Sequence, residues 1–223
     1  MPDLEDKKTS LIPDLPGWLS TARLVVGCLA IFLLAAEAAG GEAKAEGGGP
    51  REHFSVDNPA ELSDAEAEAI YRRLSEAMRN GYRLSDHPVA WAYQSWSRFN
   101  TAPYRSATHG ERFVNNYANG IGRAYGSFEQ AGDLPVGSIV AKDSFAVTAA
   151  GEVTPGPLFI MEKMPPGFDA TSRDWRYSMI MPDGSLFGVT KGVDSQNVRF
   201  CNSCHERAGA QSDHLYFVPQ AYR

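Results

Sequence analysis

The chain has 223 residues, of which 43% are hydrophobic and 22% charged, with a formal net charge of −6 and a pI of about 5.4. That length suits one domain with an appendage, and an acidic chain without a basic stripe excludes nucleic acid as a partner. Three cysteines exclude a disulfide-built scaffold, and 11% aromatic residues supply a core that a disordered chain lacks.

The first apolar run, Leu24 to Ala36, holds thirteen residues without a charge. A membrane-spanning helix needs roughly 20 apolar residues, whereas the core of an export signal needs roughly 7–15. Arg23 precedes the run, and Ala36-Glu37-Ala38 offers a small-x-small cleavage pattern. Residues 1–38 therefore read as a signal peptide, with an uncleaved N-terminal anchor as the alternative, and the chain is expected in the periplasm. Residues 39–58 are rich in Gly, Ala and charge and read as a flexible linker. The domain proper is expected over 59–223.

Residues 59–80 read as one helix, with Ser63 and Glu66 forming a capping box and Gly81 supplying the stop. Ile70, Leu74 and Ala77/Met78 recur at helical spacing beneath a charged outer side. Residues 88–108 are aromatic-rich and bracketed by Pro88 and Pro103, and their pattern is neither helical nor strand-like. Strands are predicted over 112–117, 138–148, 157–163, 175–181 and 186–190, with a brief helix around 120–130. Asp183-Gly184 signals a hairpin turn between the last two strands. The expected fold is α+β: an N-terminal helix packed on a mainly antiparallel sheet.

Cys201-Asn202-Ser203-Cys204-His205 is the C-x-x-C-H pattern of covalent c-type haem attachment. Two thiols at this spacing form thioethers with one porphyrin, and the adjacent histidine becomes the axial ligand of the iron. A thioredoxin-like redox pair would sit beside a βαβ unit, and none is visible. Zinc would take four ligands, here Cys201, Cys204, His205 and His214, but the adjacent Cys204-His205 pair suits one tetrahedral ion poorly. With the leader removed, both remaining cysteines lie inside the motif. One haem c with its iron is therefore expected, held by Cys201 and Cys204 and ligated by His205.

The segment Leu134-Pro-Val-Gly-Ser-Ile-Val-Ala-Lys142, the strand 156–163, the strand opening at Asp174-Trp175, the late Cys201–His205 motif and the tail Asp213-His-Leu-Tyr-Phe217 together resemble the cytochrome P-460 family and its sister group, the β-type cytochromes c-prime. The resemblance spans roughly Arg112 to Pro219. It implies a largely β-sheet domain, commonly a homodimer, with a five-coordinate haem. In cytochrome P-460 a strand lysine bonds to the porphyrin edge; Lys142 matches it, and Lys163 is the alternative. From strand alternation alone, Lys142 reads as a solvent-facing lysine.

The resemblance also implies oxidation of hydroxylamine, or a related small nitrogen compound, at the open haem face, with an external cytochrome accepting electrons. Glu162 is the candidate carboxylate for proton transfer there. An apolar distal pocket would instead imply a nitric-oxide-binding or electron-transfer protein of the c-prime kind. Met161, Met164, Met179 and Met181 read as core packing rather than axial ligands, and His53, His87, His109 and His214 as surface histidines.

Overall fold

The computed structural model describes residues 55–223; the proposed export segment and most of the linker lie outside the described residues. The fold is α+β. Eight strands form one antiparallel sheet: β1 (Ser97–Arg98), β2 (Tyr104–Ser106), β3 (Arg112–Ala118), β4 (Ile139–Val147), β5 (Val153–Pro155), β6 (Leu158–Lys163), β7 (Trp175–Ile180) and β8 (Leu186–Val189). Their order is β1-β3-β4-β6-β7-β8, with β2 also paired to β3 and β5 to β4. Helices α1 (Asp64–Tyr82), α2 (Pro88–Ala92) and α3 (Arg199–His205) complete the framework with several 3-10 turns.

Helix α1 begins where its capping box places it. Ser63 accepts the backbone N–H of Glu66, and the Glu66 carboxylate accepts the backbone N–H of Ser63 at 2.8 Å. The helix starts later than residue 59 because Pro59 bridges Thr148 and Ala60 donates to Val147 in an extended conformation. It continues through Gly81 to Tyr82. Gly81 is not a helix stop: a Cβ there would meet the Pro182 carbonyl oxygen at 2.1 Å, so glycine lets the helix end abut the β7–β8 hairpin. That hairpin turns at Asp183-Gly184, with Gly184 at φ 82° and the Asp183 carboxylate accepting the Ser185 N–H. Residues 55–58, at the end of the stretch read as linker, are hydrogen-bonded to the domain through Val56 N–H to Gly110 and Ala149 N–H to Asn58.

Both faces of the sheet are covered. Side chains alternate between faces along a strand, so Ala141, Phe145 and Val147 of β4 join Tyr71, Met78 and Tyr82 of α1 in one apolar core. Val140, one residue before Ala141, joins Met161, Trp175, Tyr177, Leu215 and Val218 in a second core on the opposite face. Strand β4 runs through the middle, buried from Val140 to Val147. The C-terminal segment and α3 cover the second face, and that face carries the candidate site.

Candidate functional site

A cavity of about 160 Å³ opens on the second face of the sheet. Cys201, Cys204 and His205 line it from α3, Lys142 from β4, and His109 from the β2–β3 turn. Apolar walls come from Val140, Phe159, Met161 and Phe200. Residues three and four apart share a helix face, so one turn of α3 turns both thiols and the imidazole toward the same space. The two cysteines are free thiols, and burial pushes the Cys201 thiol up to about 12.

His205 is held on three sides. Its Nδ1 lies 2.8 Å from the carbonyl oxygen of His214. A carbonyl only accepts, so Nδ1 carries the proton and Nε2 keeps its lone pair. The rings of Tyr177 and Tyr216 flank it at centroid distances of 5.3 and 5.4 Å. Burial, and then the nearby Lys142 charge, push its pKa down to about 3, so the ring is neutral.

The carbonyl that fixes His205 is itself held in place. Asp213 and His214 both sit in the left-handed region, at φ 52° and 58°, a conformation that side chains adopt only when their surroundings hold them there. The fully buried Asp213 carboxylate accepts Lys163 Nζ at 2.5 Å, Arg173 Nε at 3.2 Å and the Leu134 N–H at 3.0 Å. Its backbone carbonyl accepts the indole N–H of Trp175 at 2.8 Å. Lys163, the alternative to Lys142, is thus engaged with Asp213 and the Arg173 carbonyl.

Lys142 is buried, at 7% exposure, and makes no hydrogen bond or ion pair among the described residues. Its strand partners are Asn116 on β3 and Phe159 on β6. Burial pulls its pKa down to about 8, partly opposed by the neighbouring Cys204. The alternation reading of Lys142 as a solvent-facing residue is corrected here: that rule assumes one wet face, and β4 has none. The Tyr177 hydroxyl is also buried without a hydrogen-bond partner.

Glu162 lies elsewhere. It is half-buried, ion-paired with Arg176 across the β6–β7 ladder, and absent from the cavity lining. No carboxylate is among the described residues that line the cavity. Of the methionines only Met161 reaches the cavity. His87 caps α2 through Nδ1, accepting the Val89 N–H, and His53 lies outside the described residues. The reading of His109 as a surface histidine is corrected: it lines the cavity, its ring 4.7 Å from that of Phe159. No local pattern marks Ala107-Thr108-His109-Gly110, and only the pairing of β2 with β3 brings this turn to the cavity.

Cys201, Cys204 and His205 are the side chains that could hold an iron porphyrin. Lys142 and Tyr177 add buried polar groups left without a hydrogen-bond partner among the described residues, as a bound group would require. Among the described residues, no three His, Cys, Asp or Glu side chains converge as a free metal ion would need. No protein-family model and no curated protein matches the chain.

Proposed function

We propose that this chain is a periplasmic monohaem cytochrome c that acts on hydroxylamine or a related small nitrogen compound. One observation carries the reading: both thiols and the imidazole of the C-x-x-C-H motif line one cavity, together with an unpartnered lysine. When bound, the iron supplies a coordination position for a small ligand and a one-electron redox couple. The protein's own residues do the rest. Cys201 and Cys204 fix the porphyrin covalently, and His205 presents a proton-free Nε2 to the iron because His214 holds Nδ1. The apolar walls exclude water.

Lys142 is the residue for the additional bond to the porphyrin edge. A pKa near 8 leaves part of its amine uncharged and nucleophilic at neutral pH. Exchanging one N–H and one ring C–H for a C–N bond is a two-electron oxidation, so this step requires an external oxidant. Turnover requires an electron-accepting cytochrome, and a homodimer accords with the resemblance. A second reading is favoured because no carboxylate is among the described residues that line the cavity: a nitric-oxide-binding or electron-transfer protein of the c-prime kind, which needs no proton acceptor.

Mass spectrometry and optical spectroscopy of the exported holoprotein separate these readings. One haem should resist acid–acetone extraction and map to Cys201 and Cys204. A third attachment at Lys142, with a mass two hydrogens lower and hydroxylamine turnover, supports the enzyme. Two attachments without turnover support the c-prime reading. Extraction of all the haem defeats both.

A further inference from the structure

His109 approaches the cavity from the β2–β3 turn, far from the C-x-x-C-H motif in sequence, on a turn secured from outside. Glu111 N–H donates to Ser106 O at 3.1 Å, and Val56 N–H donates to Gly110 O at 2.9 Å. Arg105 ties the same turn to Glu61 and Glu111, at 2.6 and 3.2 Å. Gly110 and Glu111 take left-handed φ values of 72° and 58°, which reverse the chain directly after the histidine. The ring is oriented as well. Nδ1 lies 2.9 Å from Ser106 Oγ and 3.1 Å from Thr108 Oγ1, and one edge rests on Phe159. Nε2 has no hydrogen-bond partner among the described residues.

We propose that His109 is the polar residue over the open face of the haem, where its Nε2 hydrogen-bonds small nitrogen- or oxygen-centred ligands held by the iron. This rests on the haem reading above. Of the other titratable side chains that line the cavity, His205 serves the iron, the Tyr177 ring packs on His205, the Tyr216 hydroxyl donates to the Cys204 carbonyl, and Lys142 serves the porphyrin edge. Glu162 is tied to Arg176. Burial, with the nearby Lys142 and His205, holds the His109 pKa well below the usual histidine range, so the neutral ring keeps both hydrogen-bonding roles available. Ser106 and Thr108 position it.

The test uses the full haem-loaded chain with His109→Ala and His109→Gln. Azide affinity of the ferric protein is read by optical titration, and the C–O stretching frequency of the ferrous carbon monoxide complex by infrared spectroscopy. Loss of a hydrogen bond to a charged ligand should weaken azide binding about tenfold or more in His109→Ala. It should also raise the C–O frequency, and His109→Gln should recover part of both. Unchanged affinity and frequency in His109→Ala overturn the proposal and leave the haem reading standing. So does a low-spin six-coordinate wild-type spectrum that turns high-spin in His109→Ala, since His109 is then itself a ligand. A chain carrying no covalent haem removes the haem reading and this proposal together.

Discussion

The ring of His205 is oriented by the backbone carbonyl of His214, 2.8 Å from its Nδ1, and not by another side chain. A backbone partner cannot be mutated away, so the orientation depends on whatever holds the His214 peptide in its left-handed conformation. That is Asp213, one residue earlier, which gathers Lys163, Arg173 and the Leu134 N–H around a fully buried carboxylate. A chain of contacts thus runs from the end of β6 to the imidazole, and Asp213 is a positioning residue for it.

Asp213→Ala removes one partner from a buried ion pair and leaves Lys163 uncompensated. Such losses cost about 3–5 kcal/mol, and the thermal midpoint of a domain this size should fall by about 10 °C or more. Thermal unfolding followed by circular dichroism measures this. The haem spectrum of the same variant should report a mixed axial environment, which a purely global destabilisation would not produce below the midpoint.

Gly81→Ala should reverse the usual sign of a helix substitution. In an open helix interior, alanine is better than glycine by about 1 kcal/mol. At Gly81 the new methyl would lie 2.1 Å from the Pro182 carbonyl oxygen, a backbone atom that a side-chain rotation cannot relieve. Overpacking of this kind costs about 1–3 kcal/mol. Urea unfolding of the variant should show a lower midpoint; a higher one would mean that the hairpin moves aside freely.

Local chemistry was readable from the sequence, and convergence was not. The capping box at Ser63 and Glu66, the Asp183-Gly184 turn and the strands β3, β4, β6, β7 and β8 follow from patterns within a few residues. Strands β1, β2 and β5 are two or three residues long and exist because a neighbour pairs with them. The aromatic stretch 88–108 resists assignment because it contains α2, a 3-10 turn and two such short strands. Cys201, Cys204 and His205 stand out because C-x-x-C-H is the spacing that covalent haem attachment requires. Lys142 and His109 carry no such mark: one is buried because β4 is covered on both faces, and the other reaches the cavity because the pairing of β2 with β3 places its turn there.

Asp143, next to Lys142 but on the α1 face, should make stability depend on pH. Burial pushes its carboxyl up to about 6, although Asn115, Tyr71 and Tyr93 hydrogen-bond to it and pull the other way. An acid with a raised folded pKa favours the fold while it is protonated. The benefit is complete below the unfolded value of 3.8 and is lost as pH rises through about 6. A shift of this size corresponds to roughly 3 kcal/mol. In Asp143→Asn this component of the pH dependence between about 4 and 6 should disappear, and urea midpoints across that range, compared with wild type, measure it.

Lys142 has the opposite sign, and the haem-free chain Cys201→Ala/Cys204→Ala isolates it. Its folded pKa of about 8 lies below the unfolded value of 10.5, so folding disfavours the charged amine. Above about 10.5 both states are neutral and no penalty exists. As pH falls, the unfolded chain gains its proton first and stability drops until the folded chain follows near 8; below that the penalty is constant. Replacing Lys142 with Met keeps the length and removes the charge, so it should stabilise the haem-free chain at pH 7 by roughly 3 kcal/mol. The gain should shrink steadily between pH 8 and 10. Equal gains at pH 7 and pH 10 would assign the effect to methionine packing and would remove the physical basis for a reactive amine at this position. A gain that vanishes with rising pH would mean that the fold bears a buried charge at Lys142, a cost consistent with an amine kept for chemistry on a bound group.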